Sequence, residues 1–171
     1  MENGVKTVVV LAGGYSSEHE ISLASGQTAF AAFEAAGYRT LFVKVERSGY
    51  SLDGKDVRFE DLGADYVFNS IHGSPGEDGH ISGVLEVLNI PHSTCATFQS
   101  ALTFNKAQCN AVLRDAGIQV PKGELFNEFP GAAAFKHWQF PVFVKPNCAG
   151  SSYGVSRVEE PTQLEAAFQY A

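Results

Sequence analysis

The chain has 171 residues, 44% of them hydrophobic, enough for a buried core and by length about one domain. Its net charge of -7 argues against a nucleic-acid surface, which ordinarily carries a basic face. The polar start "MENGVK" lacks the apolar core of a signal peptide, and no run approaches the ~20 apolar residues of a membrane span, so a soluble, cytoplasmic protein with no membrane partner is expected.

The first apolar run, Val8–Leu11, predicts a strand. It leads through "AGGYSSEHEIS" into a helix over Ile21–Ala36, with Ser17 as its cap and Gly37 at its end. Thr40–Lys44 predicts the next strand. "SLDGKDVRF" has an Asp-Gly pair between apolar pieces, which predicts a small hairpin. Tyr66–Ile71 follows as a strand and Ile81–Leu88 as a short helix. Most of the runs are short and continuous rather than alternating, as in strands buried on both faces. Strand–helix–strand alternation predicts an α/β fold with an open, mostly parallel sheet over the first ~100 residues.

After Thr94 the pattern changes. "TFQSALTFNKAQCNAVLRDAG" reads as two helices, or one broken helix, closed by Gly117. A fainter strand signal lies at Gly123–Phe126. "FPVFVKPNCAGSSYGVSRV" reads as a strand at Val142–Lys145, a Gly/Ser loop and a return strand. That is a hairpin, not a continuation of a doubly wound sheet. A domain boundary is expected near residues 94–103, dividing 1–98 from 99–171. In "PTQLEAAFQYA", Pro161 suits a first helical turn. The pattern stops without a capping signal, so the second domain is expected to be incomplete. Cys95, Cys109 and Cys148 are odd in number and lack CxxC spacing, against a disulfide framework or a zinc site. Cys95 and Cys109 read as small buried residues, and Cys148 as a bystander in the Gly/Ser loop.

The chemistry-bearing stretches follow strand ends. Strand, Gly-Gly turn, helix is how many phosphate-binding loops are built. Yet Glu18 and Glu20 sit where the phosphate would lie, and read alone the stretch is a tight turn with an acidic helix start. "NSIHGSPGEDGHISG" holds His72, Glu77 and Asp78. In open α/β sheets, sites lie beyond the carboxyl ends of strands. With parallel strands, both loops open on one edge and place Glu18 and His72 around one crevice. Lys106, in "TFNKAQCNAVL", reads in isolation as a solvated helix lysine. Lys145 ends an apolar strand just before a loop whose N–H groups and hydroxyls can hold phosphate oxygens. This is not a Walker A order, because the lysine precedes the glycines.

In this order, "AGGYSSEHEISLASG", "IHGSPGEDGHISGVLEVLNIPHS", "SALTFNKAQCNAVLRDAGIQVPKG" and "FPVFVKPNCAGSSYGVSRV" resemble D-alanine–D-alanine ligase, of the ATP-grasp superfamily. The resemblance covers nearly the whole chain outside residues 45–63 and 127–139. It implies a pre-ATP-grasp, Rossmann-like N-terminal domain followed by a partial ATP-grasp α+β domain. It implies phosphorylation of one D-alanine carboxylate by ATP. The amine of a second D-alanine then attacks the acyl phosphate, giving the dipeptide used in peptidoglycan.

Matched residue by residue, the resemblance gives Glu18 the task of anchoring the first D-alanine near its ammonium. Ser151 hydrogen-bonds with that glutamate and orients substrate. His72 lies near the reacting carboxylate, where stabilising charge and shuttling a proton both stay open. Glu77 is a substrate-side acid. Lys106 and Lys145 match the lysines that contact ATP phosphates, and Ser152 and Gly154 belong to the loop that closes over them. Departures are Asn105, where an Asp is common, and "NCAGSSYG" in place of "REGSSVG": Ala149 removes an acid and Tyr153 adds bulk. The resemblance also implies Mg2+ (or Mn2+), held by an Asp/Glu/Asn cluster that comes later in the family's chain, with no metal ligand in this stretch. It further implies a homodimer. On that footing this chain is expected to be an N-terminal portion, inactive by itself. The alternatives are ligases joining D-alanine to D-lactate or D-serine, and a stand-alone module binding a small amino acid. A Rossmann dinucleotide binder is disfavoured by the missing GxGxxG.

Overall fold

The computed structural model describes residues 5–171. Two compact units divide the chain, one ending at Leu102 and the other spanning Thr103–Ala171.

In the first unit, β1 (Thr7–Gly13), β2 (Arg39–Glu46), β3 (Gly49–Leu52), β4 (Lys55–Val57) and β5 (Tyr66–Asn69) form one sheet in the order β4-β3-β2-β1-β5. β1 is central among the parallel strands, pairing with β2 on one side and β5 on the other. β3 and β4 add an antiparallel edge. They are the hairpin expected from "SLDGKDVRF". Its turn residues Asp53 and Gly54 both have positive φ, 51° and 76°, which is what a two-residue hairpin loop matched to strand twist requires. Beyond β5, Val67 donates to Pro91 O and accepts from Ser93 N, adding a short parallel bridge at His92.

All of β1 is buried, as a central strand covered on both faces must be. Successive rows across the sheet face opposite sides. Phe42, Val10 and Phe68 lie abreast and meet α1 (His19–Ala35), whose Phe30 packs edge-on to Phe42 and Phe33 to Phe68. The helix comes close through small residues: a Cβ on Gly26 would lie 2.6 Å from the Ala12 Cβ. The rows Leu41–Val9–Val67 and Val43–Leu11 face the other way. There Phe59, Leu62 and Ile71, with Ile81 and Leu85 of α2 (His80–Val87), complete the core. Ser17 is not the cap of α1. Glu18 occupies that position, and its N–H is taken by Ser16 Oγ at 3.1 Å.

The unit division falls within α3 (Thr97–Phe104). The break expected in this helical stretch occurs at Asn105, which caps α4 (Lys106–Asp115) by accepting from Gln108 N at 3.0 Å. β6 (Val142–Val144) and β7 (Ser156–Val158) form the expected antiparallel hairpin, and α5 (Leu164–Tyr170) packs with them. Phe135 is the hub of this core, with the rings of Phe126, Phe129, Phe168 and Trp138 around it at centroid distances of 5.2, 6.3, 5.9 and 6.5 Å. Each such pair adds about 0.5–1.5 kcal/mol beyond burial.

Two expectations are corrected here. No strand forms at Gly123–Phe126. The apolar signal there belongs to Phe126 as an anchor of the aromatic cluster. Nor are the cysteines buried: Cys95 is exposed, and Cys109 half-buried on α4, a helix that buries none of its residues.

Candidate functional site

β1 and β5 run parallel, so the loops after Gly13 and after Asn69 leave the same edge of the sheet. The two loops are stitched together. Tyr15 N donates to Ser74 O at 2.8 Å, and Ser16 Oγ to His72 O at 2.7 Å. Gly14 N donates to Val45 O at 2.8 Å, which brings the end of β2 into the same frame. Behind both loops lies Ser22, fully buried in the first turn of α1. Its Oγ accepts from Gly13 N at 2.9 Å and donates to Ser70 O at 2.8 Å. One hydroxyl thus uses both of its roles to join the ends of two strands. Sequence reasoning gave Ser22 no part. The signal was its spacing from Gly26, which puts two small residues on the helix face that meets the sheet. Ser22→Ala is expected to lower the unfolding free energy by about 1–3 kcal/mol, because two backbone groups lose their partner in a dry place; a urea titration checks it.

The structure separates the two acids that the sequence left side by side. Glu18 is 8% exposed, whereas Glu20 lies at the surface. His72 is half-buried, with Nε2 3.4 Å from Ser25 Oγ. Ser25 Oγ donates to Ile21 O at 2.9 Å. With its single hydrogen committed there, Ser25 meets His72 as an acceptor. That favours a proton on Nε2 and leaves Nδ1 as the acceptor. Glu77 is exposed, and its Oε2 accepts from Gly73 N at 2.9 Å, bracing the His72 loop. Asn69, which sequence reasoning passed over as a strand end, braces it too. Its Nδ2 donates to Gly76 O at 3.0 Å and its Oδ1 accepts from Ile71 N at 3.2 Å. The Asp78 carboxyl is held below its usual range: burial pushes it upward, but hydrogen bonds from Ser74 and His80 outweigh that.

In the second unit, Lys106 opens α4 and Lys145 follows β6. Lys106 is half-buried, and its Nζ donates to Ala149 O at 2.5 Å and Asn147 O at 3.4 Å. Burial lowers its pKa and the neighbouring Lys145 ammonium lowers it further, against a smaller opposing effect of Cys148. Two lysines distant in sequence therefore act in one field. Ser151 and Ser152 are exposed and adopt left-handed backbone, with φ of 45° and 60°. Non-glycine residues there cost roughly 1–2 kcal/mol each, and such strain gathers at ligand clamps. Gly154 follows at φ 69°, where a Cβ would lie 2.6 Å from Pro146 Cγ. Among the described residues no group of three or more His, Cys, Asp or Glu is placed to hold a metal ion. These residues by themselves make no Mg2+ site.

A family model described as D-ala D-ala ligase C-terminus matches residues 112–171. The chain is 36% identical to the D-alanine–D-alanine ligase of Flavobacterium johnsoniae, over 98% of its own length and 57% of that protein. The crystal structure of D-alanyl-alanine synthetase A from Vibrio cholerae matches with a TM-score of 0.82 at 30% identity, over 98% of this chain and 56% of that one. Over the part of them that it spans, the chain is similar in sequence and fold to D-alanine–D-alanine ligases. The VanG D-Ala:D-Ser ligase from Enterococcus faecalis is also similar, with a TM-score of 0.73 at 29% identity, over 98% of this chain and 60% of that one. The chain spans little more than half the length of these relatives. Its mixed α/β fold with a parallel sheet centre is the one the sequence resemblance implies. No helix among the described residues is long and apolar enough to cross a membrane.

Proposed function

We propose that these residues form the D-alanine side and the phosphate-binding entry of an ATP-dependent D-alanine–D-alanine ligase of peptidoglycan synthesis. Residues 1–98 supply the amino-acid side and residues 99–171 the first part of the ATP side. Turnover is assigned to a full-length, homodimeric, cytoplasmic parent rather than to these residues alone. The observation that carries the reading is the Lys106 ammonium resting on the carbonyls of Ala149 and Asn147, in the strained Gly/Ser loop that follows Lys145. Two cations in one field, beside a loop of turned N–H groups, suit a polyphosphate.

In this reading the γ-phosphoryl group passes from ATP to a carboxylate oxygen of D-alanine. The amine of a second D-alanine then attacks the acyl carbon, and phosphate leaves. Buried Glu18 takes the ammonium of the first D-alanine, an attraction stronger in a desolvated cleft than in water. His72 lies near the reacting carboxylate, to stabilise charge there or to shuttle a proton. Lys106 and Lys145 hold the phosphates, and Ser152 and Gly154 close over them. Positioning and charge stabilisation of this kind carry most phosphoryl-transfer catalysis. Glu77 supports the His72 loop on the substrate side. The likeness to a D-Ala:D-Ser ligase keeps D-serine, and beside it D-lactate, as competing second substrates.

Calorimetry on the 171-residue chain tests the reading. D-alanine and a non-hydrolysable ATP analogue are expected to bind, and NAD is not. Binding of D-alanine without the analogue would instead support a stand-alone amino-acid module. Binding of NAD would overturn both.

A further inference from the structure

The residues that flank the two lysines are tied to each other. Asn105 precedes Lys106, and Asn147 lies two positions after Lys145. Asn147 Nδ2 donates to Asn105 Oδ1 at 3.0 Å. Asn105 Oδ1 also accepts from Gln108 N at 3.0 Å, and Asn147 Oδ1 accepts from Ala107 N at 2.9 Å. The Asn147 carbonyl accepts from Lys106 N at 3.1 Å. The opening N–H groups of a helix have no partner within it. Here those of Lys106, Ala107 and Gln108 all go to this pair of asparagines. The carboxamide orientations are dictated by this network. Each side-chain oxygen meets a main-chain N–H, so Asn147 Nδ2 has to be the donor between the two amides.

The clasp has a consequence for charge. It holds Lys106 beside the loop that begins at Lys145, and both clasp members are neutral. An aspartate at 105 would make the same bonds and set a negative charge next to Lys106. Asparagine adds no charge there, and among the described residues the Lys106 ammonium rests on the carbonyls of Ala149 and Asn147. Carbonyl oxygens are neutral partners that anionic phosphate oxygens can displace.

We infer that Asn147 is a positioning residue for the triphosphate: through Asn105 and the first turn of α4 it fixes Lys106 against the Gly/Ser loop, loaded on carbonyls that phosphate oxygens replace. This rests on the reading that Lys106 and Lys145 face phosphate. The clasp is made entirely of this chain's own groups, which allows the two ideas to fail separately.

The test uses the 171-residue chain with two readouts. One is hydrogen exchange of the Ala107 amide without ligand. The other is the Kd of a non-hydrolysable ATP analogue. Asn147→Ala is expected to speed Ala107 exchange and to weaken the analogue, each by about 10-fold, as loss of the clasp bonds implies. Asn105→Asp keeps the acceptor for Gln108 and Asn147. It is expected to preserve Ala107 protection and to weaken the analogue by less than about threefold, the size of an exposed charge effect. Should Asn147→Ala unfold β6 and β7, Asn147→Gln, which keeps the amide but misplaces it, is expected to give the same pair of losses. An unchanged Kd with lost Ala107 protection would overturn the positioning role. Equal losses of affinity in Asn147→Ala and Asn105→Asp would also overturn it, by making charge the cause. A wild-type chain that fails to bind the analogue would sink the nucleotide reading and the role of Asn147 in it, while Ala107 exchange would still report whether the clasp forms.

Discussion

Gly14→Ala is expected to lower the unfolding free energy by about 2–5 kcal/mol, combining left-handed strain with overpacking, and to impair D-alanine binding with it. Gly14 has φ of 92°. A Cβ there would lie 2.5 Å from Ile71 Cγ2 and 3.0 Å from Ser74 O. Both atoms belong to the segment after β5, so the added methyl drives apart the two loops that Tyr15 and Ser16 stitch together. Gly37→Ala is the matched control. Its φ is 85°, with nothing within 4 Å of a Cβ, so it is expected to cost only the conformational part, about 1–2 kcal/mol. Urea titrations of both variants separate space from backbone conformation. If Gly14→Ala costs no more than Gly37→Ala, the loops part freely and do not form a rigid frame for a site.

The parts of the fold that were legible in the sequence are those fixed by local chemistry. Asp53-Gly54 marked a hairpin because a two-residue turn demands residues that tolerate positive φ. Val8–Leu11 marked a central strand because both sheet faces are covered. A break in the helical stretch was legible, though not its place; it falls at Asn105, whose side chain caps α4. Long-range pairings were not legible. Ser22, Asn69 and Asn147 satisfy main-chain groups, and for Ser22 and Asn147 these include groups far away in the sequence, and polar residues of that kind look like ordinary loop or helix surface. Phe126 gave a strand signal because an apolar residue bound for an aromatic cluster resembles one bound for a sheet. Lys106 alone read as a solvated lysine. Burial lowers its pKa, and so does Lys145, which only the fold brings near. Likewise, spacing alone could not rank Glu18 above Glu20, whereas burial does. The roles given to the site residues came from the resemblance, and their test is chemical.

Glu18→Gln is expected to weaken D-alanine by about 30-fold or more, the scale of removing one member of a desolvated charge pair. Glutamine keeps the size of the side chain and an acceptor oxygen, so the change removes charge rather than shape. The main-chain bonds around this residue, Glu18 N to Ser16 Oγ and Ser22 N to Glu18 O, are untouched. The deciding comparison is between ligands. Propionate has the carboxylate and carbon skeleton of alanine without the ammonium, so its affinity should be the same for wild type and Glu18→Gln. Glu20→Gln, at an exposed position two residues on, should leave D-alanine binding within about threefold, because a solvated charge is screened. Equal losses for D-alanine and propionate would mean that Glu18 shapes the loop without meeting the ammonium. No loss for either would place the amino-acid site elsewhere, and the loops at the ends of β1 and β5 would need another role.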